Sequence, residues 1–230
     1  MRAYDVATSF LASIARAGGG MAVGTTGKRP AKPLDLYEFE GCPFCRKVRE
    51  ALSILDLEVV VHPCPQGGTR FRPYVTGHGG KTQFPFLVDP NTRAEMYESD
   101  EIIRYLFRTY GDGHVPFSLS TPVITDVTSI LASAARLSGG RHARPSHAPE
   151  QPLELWSFEA SPFCRLVRER LCELEIPYLL HNVARGSAGR KAFLERSGRM
   201  MVPFLFDPNT GREMFESADI CAYLDETYGA

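Results

Sequence analysis

Two cysteines separated by two residues have the clearest chemical potential in this sequence. The run Cys42-Pro43-Phe44-Cys45 follows a short strand pattern and opens an amphipathic helical pattern, so Cys42 is predicted to lie at a helix N-terminus. The partial positive charge at that position favours an anion. A thiol placed there has a lowered pKa and becomes a nucleophile at neutral pH. The predicted chemistry is thiol–disulfide exchange, with Cys42 attacking and Cys45 or a second thiol resolving the mixed disulfide.

Two other interpretations of this pair stay open. Cys42 and Cys45 can form an inert, structural pair, or they can ligate a metal or an iron–sulfur cluster. A closed metal site normally takes four ligands, and one pair supplies two of them. No metal site is therefore predicted within the chain, whereas a cluster shared between two chains remains an alternative.

A near copy of the cysteine region returns in the second half of the chain. Leu155 to Arg168 repeats Leu36 to Arg49, but Ser161 stands where the first copy has Cys42, so dithiol chemistry is lost there. The repeat also includes two pairs of later segments: Phe84–Thr92 with Val202–Thr210, and Met96–Ser99 with Met214–Ser217. An offset this long indicates duplication of a whole domain and not a solenoid repeat.

The repeat divides the chain into four predicted segments. These are an N-terminal helix and linker at 1–33, a first domain at 34–112, a repeated helix and linker at 113–152, and a second domain at 153–230. Each domain is predicted to read strand, helix, strand, helix, strand, strand, helix. The Asp-Pro-Asn-Thr runs have turn chemistry and should form the last hairpin of each domain.

The segments before the two domains also resemble each other. Residues 4–17 and 126–136 have apolar residues at helical spacing, and because the pattern precedes both domains we interpret it as a structural helix and not as the remains of a targeting peptide. The stretches at 18–33 and 139–152 are rich in glycine, proline and basic residues and are predicted to be solvated loops or mobile linkers.

Composition excludes several classes of protein. The chain is 43% hydrophobic and 23% charged with a net charge of −1, without the clustered basic excess typical of nucleic-acid binders. No apolar run approaches the ~20 residues that a transmembrane segment needs. The six cysteines lack the spacing of a disulfide framework, which favours a reducing or redox-regulated compartment.

These motifs together resemble a known fold. A strand, Cys-Pro-Phe-Cys, a helix, a proline after a hydrophobic residue and Glu-Ser at a helix start are similar to the thioredoxin fold in its glutaredoxin and glutathione-transferase N-terminal version. The tandem arrangement resembles a plant and algal plastid family with two such domains and no helical C-terminal domain. The resemblance covers about residues 34–110 and 153–228. It implies an α/β fold of two tandem thioredoxin-fold domains, each preceded by a short amphipathic helix, and a location in the chloroplast stroma.

The resemblance also implies roles for individual residues. Cys42 matches the attacking cysteine of a glutaredoxin and Cys45 the resolving one. Ser161 matches the serine that hydrogen-bonds the glutathione thiolate in some transferases. The other matched positions form the glutathione site: Phe84 and Val202 pair through their backbones with the cysteinyl part, Pro85 and Pro203 are the facing cis-prolines, and Glu98, Ser99, Glu216 and Ser217 hold the γ-glutamyl end. A carboxylate suits the ammonium of that end, and helix amides suit its carboxylate.

Two functions follow as alternatives. The first is a glutathione-dependent thiol–disulfide oxidoreductase that acts on protein disulfides or glutathionylated proteins, with domain 1 catalytic and domain 2 degenerate or glutathione-binding. The second is a non-catalytic binding or assembly module that retains the thioredoxin fold and serves a protein assembly partner. Cys42 and Cys45 favour the first, whereas Ser161 and the missing helical domain favour the second.

The remaining thiols and the basic residues are assigned from their positions in the repeat. Cys64, Cys164 and Cys221 are expected to be structural or buried, and Cys172 is expected to be partly exposed. A basic group follows each turn, and most of its members are expected to be solvated helix charges. These residues are Arg46, Lys47, Arg49, Arg165 and Arg168.

Overall fold

The structure is a computed structural model that describes residue 4 and residues 6–10, 19–120 and 139–230. Of the two predicted preceding helices, only residue 4 and residues 6–10 of the first are described, and they are helical. The second, at 126–136, lies outside the described residues.

Both repeats contain the predicted series of elements. The first has β1 (Leu34–Glu38), α1 (Pro43–Ile54), β2 (Val59–Pro63), α2 (Arg72–Gly79), β3 (Phe86–Asp89), β4 (Ala94–Met96) and α3 (Ser99–Tyr110), followed by the short α4 (Phe117–Ser120). The second has β5 (Leu153–Ser157), α5 (Pro162–Glu173), β6 (Tyr178–Asn182), α6 (Arg190–Ser197), β7 (Phe204–Asp207), β8 (Arg212–Phe215) and α7 (Ser217–Tyr228). The predicted α/β fold class, two thioredoxin-like units, is confirmed.

The two repeats share one eight-stranded sheet with the order β4-β3-β1-β2-β6-β5-β7-β8. Within each repeat the first two strands are parallel and the later pairs are antiparallel. The repeats meet at a seam where β2 and β6 pair antiparallel, with Val60 opposite Leu179. Each repeat therefore contributes the same strand to the seam.

The core lies on both faces of this sheet because successive strand residues point to opposite sides. On one face a single apolar cluster spans both repeats and includes Leu36 of β1 and Leu155 of β5, packed under α1, α3, α5 and α7. On the other face each repeat has a smaller aromatic cluster, around Tyr37 beneath α2 and around Trp156 beneath α6. One continuous core thus joins the two small domains, which gives both a larger buried interior.

The Asp-Pro-Asn-Thr turns form the predicted hairpins, and they also hold the closing helices. The hydroxyls of Tyr105 and Tyr110 on α3 both donate to Asp89, which is fully buried at the end of β3. In the second repeat Asp207 accepts from two tyrosines of α7 in the same way. A buried carboxylate is stabilised by such hydrogen bonds, which explains why the turn and the tyrosines recur together.

The linkers are loops as predicted, and most of their described residues are exposed, but backbone hydrogen bonds anchor each of them to the folded repeats. Val23 donates its backbone N–H to Arg185 of the second repeat (2.8 Å). Gln66 of the first repeat donates to Arg141 (2.7 Å) and accepts from Ala143 (2.8 Å). Each linker precedes one repeat in the sequence and is hydrogen-bonded to the other repeat. The described helices include none with the length and apolar character needed to cross a membrane.

Candidate functional site

Cys42 occupies the N-cap position of α1, as the sequence predicted. Its backbone is extended, Pro43 is the first helical residue, and the backbone N–H of Cys45 donates to the Cys42 sulfur at 3.2 Å. Proline fits this first position because its missing N–H would have no intrahelical partner. The Cys-Pro-Phe-Cys run therefore starts the helix and points one thiol at its N-terminal amides.

The electrostatics of this turn single out Cys42. Burial opposes its ionisation, but the side chain and backbone of Cys45 donate hydrogen bonds that lower the pKa of Cys42 below its ordinary value. Nearby Glu38 acts in the opposite direction and Arg49 assists. The pKa of Cys45 is raised well above the ordinary value by burial and by its bond to Cys42. One thiol of the pair is thus favoured as the thiolate and the other as its proton-bearing neighbour.

All six cysteines lie in the described part of the chain, and each is a thiol. Burial raises the pKa of Cys64, of Cys164 and of Cys172, and it raises the pKa of Cys221 to about 11. Cys64 and Cys164 are fully buried, as expected. Cys42 is therefore the thiol whose environment favours reactivity.

Access to the Cys42 sulfur is narrow. Its side chain is 3% exposed, while the ring of Phe44 beside it is 41% exposed. Cys45 is fully buried, so Cys42 is the more accessible thiol of the pair.

The turn contacts the loop that precedes Pro85. Cys42 donates its backbone N–H to Phe39 (3.0 Å), and the ring of Phe39 lies edge-on to the ring of Phe84 with 6.2 Å between centroids. The Phe84–Pro85 peptide bond is cis, as the resemblance implied. The structure thus places two of the three predicted glutathione-binding motifs of the first repeat side by side.

The third motif lies next to this loop. The Gln83 amide donates to the Glu98 carboxylate at 2.7 Å, and the exposed Glu98 side chain leaves that carboxylate within reach of a ligand. As the sequence predicted, Glu-Ser stands at a helix start: α3 begins at Ser99, and Glu98 holds the cap position, where its side chain makes no capping bond. Ser99 is buried.

Glu98 also has an unusual backbone. Its φ is 67° and ψ is 110°, and Glu216 has nearly the same angles in the second repeat. A non-glycine residue in such a sparsely populated region costs roughly 1–3 kcal/mol and is kept where the surrounding structure requires it. Both repeats therefore hold this glutamate in the same strained orientation.

The second repeat reproduces this geometry with a hydroxyl. Ser161 is the N-cap of α5, and the backbone N–H of Cys164 donates to its Oγ at 3.3 Å. The Val202–Pro203 bond is cis, and Ser217 is buried at the start of α7. The turn keeps its shape but has no thiol at the attacking position.

The N-terminal segment at residues 6–10 packs on this second turn. Ser9 Oγ donates to the carbonyl of Pro162 (2.7 Å), and Arg165 donates to the carbonyl of Ser9 (2.6 Å). The ring of Phe10 meets Phe163 edge-on, with centroids 5.7 Å apart. The helical spacing of this segment predicted a structural helix but did not indicate which turn the helix covers.

The prediction that the basic residues after the turns are solvated is wrong. Arg46, Lys47, Arg49, Arg165 and Arg168 are each at most 2% exposed. Lys47 pairs with Asp100 on α3 at 2.8 Å. The four arginines lie at the seam, where the exposed face of an isolated domain becomes an interface with the other repeat.

We call these four arginines, together with Glu38, Glu40 and Glu159, the seam cluster. Its central contacts cross between the repeats. Arg49 donates from Nε to Glu159 (3.0 Å), and Arg168 donates one hydrogen bond to each carboxylate oxygen of Glu40, both at 3.1 Å. Buried charges need such partners because desolvation is costly. Glu40 and Glu159 each stand two residues before a turn position, at Cys42 and at Ser161, so the cluster lies directly under both turns.

Cys172 is also part of this interface, and the prediction that it is partly exposed is wrong. It is 2% exposed, accepts from the backbone N–H of Glu40 at 3.4 Å, and donates to the carbonyl of Gly140 at 3.2 Å. Its counterpart Ser53 accepts from the backbone N–H of Glu159 at 3.2 Å.

Within the described residues, no group of three or more histidine, cysteine or acidic side chains is arranged to hold a metal ion.

The fold and the two helix-capping turns define a thioredoxin-fold protein of the glutathione-transferase N-terminal class. A sequence profile of the family described as glutathione S-transferase, N-terminal domain, matches residues 36–114 and again residues 155–230. The chain belongs to this family. Among solved structures, TDR1 of Leishmania, described as a unique trimeric glutathione transferase, is similar over 87% of this chain and 68% of its own, with 15% identity and a TM-score of 0.31. No curated protein matches the chain.

Proposed function

We propose that this protein is a glutathione-dependent thiol–disulfide oxidoreductase of the glutaredoxin type, in which the first repeat is catalytic. The observation that carries this proposal is the state of Cys42. Its sulfur accepts the Cys45 N–H at a helix N-terminus and has a lowered pKa, whereas burial raises the pKa of the other five thiols. A low-pKa thiol three residues before a protonated one suits attack followed by resolution.

In the proposed reaction the Cys42 thiolate attacks the glutathione sulfur of a glutathionylated protein or of a small glutathione mixed disulfide. A new disulfide forms between Cys42 and that sulfur, the old bond breaks, and the leaving thiolate takes a proton from solvent. A glutathione thiolate then attacks the mixed disulfide, which releases the Cys42 thiolate and leaves oxidised glutathione. Alternatively Cys45 loses its proton and attacks the Cys42 sulfur of the mixed disulfide, which releases glutathione. Two glutathione molecules then reduce the resulting Cys42–Cys45 disulfide and leave as oxidised glutathione.

Glutathione is proposed to lie along the three motifs that meet beside Cys42. The backbone of Phe84 next to Pro85 would pair with its cysteinyl unit, and the exposed Glu98 carboxylate would meet its ammonium group. The amides at the start of α3, with Ser99, would meet its terminal carboxylate. This assignment is supported by family membership and by the Phe39–Phe84 and Gln83–Glu98 contacts.

The second repeat is proposed to be degenerate or to bind glutathione without exchanging disulfides. Its candidate residues occupy the same positions as those of the first repeat. They are Ser161, Val202, Pro203, Glu216 and Ser217.

The chloroplast stroma is proposed as the compartment on sequence resemblance alone, and microscopy of the complete gene product carrying a C-terminal fluorescent tag tests it.

A binding or assembly module is the second candidate function. It is favoured by the 3% exposure of Cys42 and by the packing of residues 6–10 on the second turn. Under this hypothesis the fold presents a surface to a protein partner, and the thiols take no part.

The deciding experiment combines site-resolved alkylation with a turnover assay on the full chain. Mass spectrometry follows alkylation of the Cys42 peptide against pH, and glutathione-dependent reduction of a small mixed disulfide is measured for the wild type and for Cys42→Ser, Cys45→Ser and Ser161→Ala. We expect a Cys42 pKa clearly below the ~8.5 of a free thiol, loss of turnover in Cys42→Ser and retained turnover in Ser161→Ala. An ordinary pKa with no turnover would support the binding module instead.

A further inference from the structure

The backbone immediately before Cys42 is held by the second repeat. We call residues 40–42 the redox turn. Arg168 of α5 forms a two-pronged ion pair with Glu40, from Nε to one carboxylate oxygen and from Nη2 to the other, both at 3.1 Å. Both side chains are 1% exposed, so water does not screen the pair. These are the shortest charged contacts of Glu40; Arg49 of the first repeat adds one to its carboxylate at 3.3 Å and one to its carbonyl at 3.2 Å.

Backbone contacts from the second linker add to this hold. Glu40 donates its N–H to Cys172, which in turn donates to Gly140, and Gly41 donates its N–H to Gly140 at 3.4 Å. Gly140 has a φ of +65°, and a Cβ added there would lie 2.7 Å from the Cβ of Glu40. Only glycine permits this close approach without displacing the redox turn.

The reciprocal contacts hold the second turn. Arg49 pairs with Glu159, Ser53 accepts from the N–H of Glu159, and a Cβ added at Gly20 would lie 3.0 Å from the Cβ of Glu159. The two halves thus provide matched sets of contacts, one beneath Cys42 and one beneath Ser161. This symmetry supplies an internal control for any test.

We propose that Arg168 is a positioning residue for Cys42, and that the second repeat acts as the clamp that fixes the redox turn of the first. This inference rests on the proposed function, because it gives the repeat without a nucleophile a role in the chemistry of the other. The hydrogen bond from Cys45 to the Cys42 sulfur depends on where residue 42 stands relative to α1. A turn held on one side by Glu40 and on the other by the helix cannot drift from that geometry.

The mechanism predicts the direction of the effect. Releasing Glu40 lets the redox turn move, lengthens the bond from Cys45 to Cys42 and removes part of what lowers the Cys42 pKa. The thiolate fraction at neutral pH falls, and attack on a disulfide slows. A displacement near 1 Å at a reacting group can cost about 100-fold in rate, so a loss of roughly tenfold or more is expected.

The test compares Gly140→Ala with Gly20→Ala in the full chain. Both place a methyl group where φ is positive and press on the glutamate before a turn, but only the first presses on the redox turn. For Gly140→Ala we expect the alkylation pKa of Cys42 to rise by about half a unit or more, with turnover reduced about tenfold. For Gly20→Ala we expect wild-type values of both, with a smaller loss of thermal stability, because the nearest atom to its added Cβ is 3.0 Å away and not 2.7 Å.

Two further comparisons keep the test decisive if Gly140→Ala fails to fold. Arg168→Lys keeps the charge but loses the two-pronged geometry, and should raise the Cys42 pKa partway. Cys172→Ala removes the acceptor for the Glu40 N–H, and Ser53→Ala is its matched control beneath Ser161.

The outcomes separate the clamp from the proposed function. If the Cys42 pKa responds to the Gly140, Arg168 and Cys172 changes but turnover is absent in the wild type, the clamp stands and the oxidoreductase proposal falls. If turnover is present and Gly140→Ala and Gly20→Ala leave the Cys42 pKa equally unchanged, the clamp is overturned. An ordinary wild-type pKa that no variant moves overturns both.

Discussion

Replacing Glu159 with glutamine would remove one negative charge from the seam cluster while keeping the side chain's shape. Glu159 is 4% exposed and faces three guanidinium groups: Arg168 at 2.8 Å, Arg49 at 3.0 Å and Arg46 at 3.5 Å. The substitution leaves these buried cations with fewer counter-charges. Removing one partner from a buried ion pair typically costs about 3–5 kcal/mol of folding free energy.

The lowered pKa of the Glu159 carboxyl gives a second value for the folding free energy that its charge contributes. Burial alone would raise this pKa, but Arg168, Arg49 and Arg46 hold it at about 2 against an ordinary 4.5. At about 1.4 kcal/mol for each pH unit, this difference corresponds to roughly 3 kcal/mol at neutral pH. Because the folded-state pKa is lowered, the stabilisation is complete above about pH 4.5 and is lost as the pH falls towards 2.

The assay is equilibrium urea unfolding of wild type and Glu159→Gln at several pH values. We expect a loss of about 3 kcal/mol at pH 7, and a difference between the two proteins that narrows below pH 4.5. Glu213→Gln is the control, because its carboxylate pairs with Arg196 at the surface, with side chains 45% and 39% exposed. That control should cost less than about 1 kcal/mol.

A loss below about 1 kcal/mol for Glu159→Gln at neutral pH would refute this reasoning. So would a difference from wild type that stays constant into the acid range, since the carboxylate would then contribute nothing that protonation removes.

Three other predictions concern the core, the seam and the N-terminal segment. Asp89→Asn and Asp207→Asn should each lower the free energy of unfolding by about 2–3 kcal/mol, because each weakens charge-assisted bonds from two tyrosines; a negligible change in urea titrations would contradict this. Fluorescence of Trp156, in the second repeat, and far-ultraviolet circular dichroism should give the same unfolding midpoint, because one sheet and one core span both repeats; two midpoints would show independent domains. In a Ser161→Cys background, Phe10→Ala should speed alkylation of the introduced thiol, and an unchanged rate would show that the segment leaves the turn open.

The helices and strands could be predicted because each is determined by residues that are close together in the sequence. The helix at Ser99–Tyr110 and the strand at Ala94–Met96 lie where the predicted order of elements requires them, since apolar spacing and turn residues determine both. The helix N-terminal position of Cys42 follows from the proline beside it and the amphipathic pattern after it. The proposed glutathione-binding positions could be named from the sequence because three separate motifs agreed with one fold.

The seam could not be predicted because its signals belong to two distant segments at once. Arg49 and Arg168 have the pattern of solvated helix charges, and only the pairing of β2 with β6 buries them. Gly140 has the pattern of a linker, although its close approach to Glu40 requires glycine. The available signal was the recurrence of a glutamate before each turn and of an arginine at the same place on each helix.

The seam has the reciprocity of an isologous dimer interface, in which residue i of one subunit meets residue j of the other and j meets i. Arg49 with Glu159 and Arg168 with Glu40 form such a pair of equivalent contacts. In a true homodimer every substitution appears twice, so a cysteine could not be exchanged for serine at one turn alone. Covalent fusion of the two copies removes that constraint: Ser161 differs from Cys42 while the interface around both has kept its symmetry.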